Sequence, residues 1–164
     1  MKISLIIPTY NREELLVQTL RCALQQDLPD CEILVIDQTT GHQPETERFL
    51  AEHHSDIIHI QRTEPSVTKA RNEGLRRARG DILVFVDDDT SFEPGFLAAH
   101  RDAHMAGADI VQGRVIEKDS RPARRPVWLT RTLKFKGSDN YDKDGVTNNI
   151  TGCNFSITRK VVDT

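Results

Sequence analysis

Short apolar runs alternate with amphipathic stretches along most of the chain. Residues 3–8 are an apolar run, consistent with a buried strand. Asn11 follows as a helix N-cap, with Glu14 three residues on as in a capping box. Leu16, Leu20, Ala23 and Leu24 then recur at helical spacing, which predicts a helix over residues 12–26. Residues 32–37 read as a second strand, 44–52 as a short helix and 57–61 as a third strand. Ser66 caps a predicted helix running to Arg79, with Gly80 as its stop. Residues 82–86, apolar on both faces, read as a fourth strand. Glu93-Pro94 opens a helix running to about Met105. Residues 109–117 read as a fifth strand with partial alternation.

This β-α-β-α-β-α-β-α-β order predicts an α/β fold: a mostly parallel central sheet with helices on both faces. The pattern fades after residue 117. Residues 121–136 are basic and contain proline, and residues 139–149 are rich in Asp, Asn and Gly. Both stretches are expected to be surface loops or an active-site flap. Residues 150–158 predict one more strand, and a helix is expected to begin near Arg159.

Composition narrows the functional classes. The chain has 164 residues, enough for one domain with its own core, and 37% apolar with 29% charged residues is a soluble, globular balance. A net charge of −3 and an aromatic content of 5% supply neither a basic face nor stacking platforms, so no nucleic-acid partner is expected. No apolar run approaches the roughly 20 residues that span a bilayer. Met1-Lys2-Ile3-Ser4 leads directly into a strand, without a signal-peptide layout. Cys22, Cys31 and Cys153 are widely spaced and lack a CxxC or metal-finger pattern. They are expected to be reduced thiols, which suits a cytoplasmic protein.

Ligands of open α/β sheets sit beyond the carboxyl ends of the strands. Polar clusters fall at such ends here: Pro8-Thr9-Tyr10-Asn11 after strand one, Asp37-Gln38-Thr39 after strand two, Asp87-Asp88-Asp89 after strand four. The loop after strand three leads to Lys69, Arg71 and Asn72. Adjacency of strands two, one and four would bring these clusters to one edge. Three adjacent carboxylates repel, so a run of them at a buried strand end calls for a counter-charge. Mn²⁺ or Mg²⁺ is the natural candidate, because hard cations take oxygen ligands and share them with substrate phosphates. The competing reading has these aspartates capping a turn and facing solvent.

Ile6-Ile7-Pro8-Thr9-Tyr10-Asn11-Arg12 resembles the opening motif of family 2 glycosyltransferases with the GT-A fold, a Rossmann-like architecture. Ala70-Arg71-Asn72-Glu73-Gly74 and Phe85-Val86-Asp87-Asp88-Asp89 resemble the family's next two signatures, in order and at similar spacing. Thr151-Gly152-Cys153-Asn154-Phe155-Ser156-Ile157 resembles its later, acceptor-side motif. The resemblance implies an inverting transfer of sugar from a nucleotide-diphosphate sugar, UDP- or dTDP-linked, to an acceptor hydroxyl. Pro8, Thr9 and Asn11 would line the base and ribose pocket, and Asp37 would accept a hydrogen bond from the base. Arg71 and Asn72 would lie near the nucleotide, and Asp88 belongs to the same donor-binding set. Asp87 would contact the ribose or the metal-bound diphosphate, and Asp87 and Asp89 would hold the metal. Gly152 and Asn154 would shape the acceptor side. Residues 1–117 then form the nucleotide-sugar core and residues 118–164 the start of an acceptor-side region. The acceptor could be a saccharide, a lipid-linked sugar or a protein, and the whole protein could work at the cytoplasmic face of a membrane.

Two departures from the family pattern stand out. After strand two the family usually shows Asp-Asp-Gly-Ser, whereas this chain reads Asp37-Gln38-Thr39-Thr40. The family's general base lies in an acidic motif about one helix after the Gly-Cys-Asn-like segment, so it is expected beyond Thr164; nothing marks Asp142, Asp144 or Asp163 for that role. Other clusters invite other readings. His53-His54 and the His100/His104 pair suggest a metal, though a solvated helix face is the plainer expectation. Arg121, Arg124, Arg125 and Arg131 suggest either an exposed basic loop or a grip on an anionic acceptor. Asp87-Asp88-Asp89-Thr90-Ser91 faintly resembles the nucleophile motif of haloacid dehalogenase-type phosphatases, which normally follows the first strand. A sugar nucleotidyltransferase would need a glycine-rich N-terminal loop where Pro8 to Asn11 stands. A non-catalytic nucleotide-sugar-binding domain is the alternative from another class.

Overall fold

Seven consecutive buried residues build β1 (Ile3–Thr9), the centre of the sheet. The structure, a computed structural model, describes residues 1–116, 128–129, 135–136 and 152–163. The elements run β1, α1 (Glu14–Leu24), β2 (Cys31–Asp37), α2 (Pro44–Glu52), β3 (Ile57–Gln61), α3 (Val67–Arg77), β4 (Ile82–Val86), α4 (Phe96–Met105) and β5 (Ile110–Gln112). After these come β6 (Trp128–Leu129), β7 (Phe135–Lys136), β8 (Asn154–Thr158) and α5 (Arg159–Val162). The main sheet has the order β3-β2-β1-β4-β8-β5, and β6 and β7 form a separate antiparallel pair. Strands β1 to β4 are parallel, and β8 runs antiparallel to both β4 and β5. The mostly parallel sheet expected from the sequence is present, with β2, β1 and β4 adjacent.

Period-two alternation divides the core into two layers. Ile3, Leu5 and Ile7 of β1 pack with Leu16, Leu20, Phe49, Leu50 and Leu97, under α1, α2 and α4. Ile6 faces the other way and joins Leu34, Ile36, Ala70, Leu83 and Phe85 under α3. The Phe85 and Phe155 rings stack at 4.7 Å between β4 and β8. The inserted strand is thereby part of the core.

Several local expectations are corrected. Helix α1 begins at Glu14, and no side chain caps it. Asn11 has φ +52°, a left-handed conformation that asparagine tolerates better than most residues, and its N–H donates to Thr39 Oγ1 at 2.9 Å. The capping box fails because Asn11 fastens the loop to the end of β2 instead. Helix α3 does start at Ser66, whose hydroxyl accepts from the Lys69 N–H, but it ends at Arg77. Gly80 permits close approach: a Cβ there would stand 2.6 Å from the Ser4 nitrogen. The fifth strand is confined to Ile110–Gln112 and pairs with β8, because β8 occupies the place beside β4. His100 and His104 are buried. They lie 2.7 Å from Ser156 Oγ through Nδ1 and Nε2 respectively, so this face of α4 packs on β8.

Candidate functional site

The carboxyl ends of β1, β2 and β4 meet where Thr9 stands opposite Asp37 in register. A cleft of about 560 Å³ opens there. Pro8, Thr9, Tyr10 and Arg12 line it from the end of β1, Gln38 from β2, Ser66 and Arg71 from the start of α3, and Asp87, Asp88 and Asp89 from β4. The strand-end clusters converge as the sequence predicts.

The three aspartates occupy different environments because they form a turn immediately after β4. Asp88 is buried in the cleft floor, where its Oδ2 accepts from Thr9 Oγ1 at 2.6 Å. Thr19 Oγ1 donates to the Asp88 carbonyl at 3.0 Å and holds the turn from α1. Burial raises the Asp88 pKa; bonding to Thr9 and the nearby Arg12 charge oppose that rise, while Asp89 adds to it. Asp89 is exposed, with Arg12 Nη2 3.5 Å away. Asp87 accepts from Arg71 Nη2 at 2.9 Å. Asp87 and Asp89 thus present carboxylate oxygens to the cleft, and Asp88 anchors the turn beneath them. Arg12 and Arg71 are the cations paired with these three carboxylates among the described residues.

Asp37 and Gln38 exchange the positions that the sequence suggests. Asp37 is fully buried and does not line this cleft. Its Oδ1 accepts from the Thr39 N–H at 2.8 Å, and its Oδ2 lies 2.7 Å from His42 Nε2 and 2.8 Å from His59 Nε2. Burial alone would raise this carboxyl, but His59, the Thr39 amide and His42 outweigh it and hold the pKa at about 2. The His42 side chain is only 4% exposed, and this burial lowers its pKa, yet Asp37 and Glu13 turn the net shift upward. Gln38 is the residue in the cleft. Its Nε2 donates to the Thr9 carbonyl at 3.1 Å, and its Oε1 accepts the Ser66 N–H.

Arg71 bridges this cleft and the later motif, since its Nη2 also donates to the Gly152 carbonyl at 2.8 Å. Glu73, the alternative partner on its own helix, pairs with Arg62, Arg76 and Arg77 instead. Asn72 is exposed on α3 and is not among the cleft-lining residues. Asn11 is exposed and also stands outside the lining, on the loop behind it. A second cleft, about 830 Å³, is lined by Thr90, Phe92, Arg114, Cys153, Asn154 and others, and Asp89 borders both clefts. The Asn154 side chain is engaged internally: Oδ1 lies 3.0 Å from His100 Nε2, and Nδ2 donates to the Arg114 carbonyl at 3.0 Å.

Arg12, His42 and His59 are the site residues that sequence reasoning passed over. Arg12 carried a signal, since it closes the Tyr10-Asn11-Arg12 segment; nothing local marks the two histidines. Thr151, Arg121, Arg124, Arg125, Arg131, Asp142 and Asp144 lie outside the described residues. Among the described residues, no helix is long and apolar enough to cross a membrane.

Fold and cleft together define a protein of the GT-A glycosyltransferase class. Solved structures bear this out. The TarS 1–349 structure from S. aureus superposes with a TM-score of 0.62 at 27% identity, over 76% of this chain and 39% of that one. The mannosyltransferase PcManGT from Pyrobaculum calidifontis, in complex with GDP-Man and Mn²⁺, gives 0.61 at 27% identity, over 71% and 36%. The Glycosyl transferase family 2 profile matches residues 4–164, and the chain belongs to that family. Among its relatives, the GalNAc(5)-diNAcBac-PP-undecaprenol beta-1,3-glucosyltransferase of Campylobacter jejuni is 27% identical over 155 residues, 83% of this chain. The glycosyltransferase YfnE of Bacillus subtilis is 36% identical over 114 residues, 68% of this chain. The chain spans 49% of the first relative's length and 29% of the second's. Family membership excludes the phosphatase reading, whose motif would follow the first strand.

Proposed function

We propose that this chain holds the donor site of an inverting glycosyltransferase that uses a UDP- or dTDP-linked sugar with Mn²⁺ or Mg²⁺. The observation that carries the reading is the acidic turn. Asp87 and Asp89 offer hard oxygen ligands at the cleft, while Thr9 fixes Asp88 below them. Arg12 and Arg71 leave this group of three carboxylates one negative charge in excess. A nucleoside diphosphate adds more. A divalent ion on Asp87 and Asp89 offsets both, and so the donor set fits the ion. When bound, it supplies positive charge to the departing diphosphate.

The chain's own residues do the rest. Gln38 keeps one N–H and one oxygen lone pair beyond its internal bonds, enough for the edge of a uracil or thymine. Pro8, Thr9 and Tyr10 wall the nucleoside, and Asp37 acts indirectly by setting the Thr39 turn. Arg71 places its guanidinium between Asp87 and the Gly152 carbonyl, so it links donor occupancy to the acceptor-side segment. The acceptor hydroxyl attacks the anomeric carbon from the second cleft, opposite the diphosphate. Its oxygen forms the new bond, the diphosphate leaves with the old bonding pair, and a base removes the hydroxyl proton. Among the described residues, Asp89 is the sole carboxylate lining that cleft, and its metal role leaves it unsuited as the base. UDP-GlcNAc bound to TarS supports a uridine donor, and the Mn²⁺ complex of the mannosyltransferase supports the metal. The undecaprenol-linked acceptor in the Campylobacter relative's name supports a lipid-linked acceptor at the cytoplasmic face of a membrane.

Calorimetric titration with UDP, with and without Mn²⁺, tests this reading. Binding is expected to need the metal and to weaken about 10–100-fold in Asp89→Asn and in Arg71→Gln, the worth of one charge-assisted contact. Equal UDP affinity in EDTA, or an unaffected Asp89→Asn, would overturn it.

A further inference from the structure

Behind the donor cleft, beside β2, lies a cluster whose two histidines the proposed transfer does not use. Asp37 ends β2, His42 stands in the loop before α2, and His59 lies on β3 opposite Val35. Val35 and Asp37 share a face of β2, so the strand pairing carries His59 toward the carboxylate. Both imidazole Nε2 atoms converge on the same Asp37 oxygen, at 2.7 and 2.8 Å. One ligand atom from each of the three residues lies within 4.8 Å of the others.

Two further observations point to a metal. The other nitrogen of His42, Nδ1, lies 3.2 Å from both Glu13 carboxylate oxygens. A ring that turns one nitrogen to a metal and the other to a carboxylate is the usual arrangement of a ligating histidine, and it fixes tautomer and orientation. The cluster also borders its own cleft, about 490 Å³, lined by Thr40, Gly41 and Glu47 as well as by the two histidines. That space gives an ion an entry path and room for a water ligand.

We propose that Asp37, His42 and His59 bind a transition-metal ion of the Zn²⁺ class, with Glu13 orienting His42, at a site separate from the Asp87–Asp89 turn. Two imidazoles and one carboxylate suit a borderline cation, unlike the all-oxygen set of the acidic turn. Charge balances with both rings neutral: the carboxylates of Asp37 and Glu13 offset one divalent ion. Tetrahedral ligand atoms around zinc stand roughly 3.3 Å apart, so the nitrogens must withdraw about half an ångström from Asp37. His59, 31% exposed at its side chain, is free to make that movement. The ion ties the Glu13 loop to the His42 loop, and these flank Tyr10 and Gln38 of the donor cleft. It therefore braces the nucleoside end of that cleft without touching the diphosphate end.

The chelator-stripped 164-residue chain is titrated with Co²⁺, followed by visible absorption, and with Zn²⁺, followed by calorimetry. A single equivalent is expected to bind, with the absorption of tetrahedral Co²⁺. Asp89→Asn retains this binding although its Mn²⁺-dependent UDP binding is weakened, so the two sites fail independently. His59→Gln abolishes the Co²⁺ spectrum, and Glu13→Gln weakens the metal about 10-fold or more, as loss of an orienting partner does. Both replaced residues are partly exposed, and far-UV circular dichroism verifies that each variant is folded. No Co²⁺ or Zn²⁺ uptake by the folded parent would overturn the site. So would uptake unchanged in His59→Gln and His42→Gln, or uptake abolished by Asp89→Asn.

Discussion

The bond from Thr9 to Asp88 is the most direct test of how the fold holds the acidic turn. Thr9→Val keeps the side-chain shape and replaces the hydroxyl by a methyl group. Thr9 is 2% exposed and Asp88 9%, and their 2.6 Å bond crosses from β1 to the turn after β4. The remaining cation, Arg12 Nε, is 3.8 Å away on a side chain 45% exposed, too distant and too solvated to replace the hydroxyl. Hydrogen bonds to charged groups contribute about 1.5–3 kcal/mol, and the Tyr10 backbone N–H keeps part of the Asp88 carboxylate paired, which holds the loss within that range. The expected cost of Thr9→Val is about 2 kcal/mol, a fall in Tm of about 4–8 °C for a chain of this size. Asp88→Asn retains an acceptor for Thr9 and should cost about half as much. The assay is urea denaturation of both single variants and the double variant, with the coupling read from the cycle. Coupling of about 1 kcal/mol or more is expected, because the two side chains touch. Asp88 already has a raised pKa, and losing Thr9 raises it further. The Thr9→Val deficit should therefore narrow as falling pH protonates Asp88, and widen again near neutrality. A deficit and a coupling both below about 0.5 kcal/mol, in variants that remain folded, would refute the reasoning.

Two other outcomes follow from the packing. A Cβ at Gly74 would strike Cγ2 of Ile6, which is fully buried in the central strand and cannot yield. Gly74→Ala should thus lower stability by about 1–2 kcal/mol despite alanine's better helix propensity, and a raised denaturation midpoint would contradict this. Burial, with the neighbouring His104 charge adding and the Asn154 bond opposing, depresses the His100 pKa from 6.5 to about 4. The unfolded chain therefore binds the extra proton between these values. Stability from this group is complete above the unfolded pKa and falls as pH drops through the window, by about 3 kcal/mol in all. Stability curves of the parent and His100→Gln over that pH range should differ in slope, and parallel curves would show that His100 is not held neutral.

By itself the sequence determined the elements and the edge where the chemistry collects. Buried parallel strands are continuous apolar runs, and the residues that end them are polar because they face a ligand or solvent. Ile82 to Val86 followed by Asp87, Asp88 and Asp89 was legible for that reason, as was the cluster at Thr9. The sequence could also place Asp37 and Gln38 on opposite faces of one strand end, since side chains alternate. Which of the two faces the cleft was decided by how β2 pairs with β1 and β3, and that pairing turned Asp37 toward His59 and left Gln38 in the cleft. The Asp37–His42–His59 cluster was illegible for the same reason: its members come from a strand end, a loop and a neighbouring strand. The exposed positions implied by the helical spacing of His100 and His104 were overturned by β8, which enters the sheet beside β4 from far along the chain and covers that face of α4. Local pattern fixes the type of each element through backbone geometry and solvent avoidance. Only long-range strand pairing fixes which polar side chains meet.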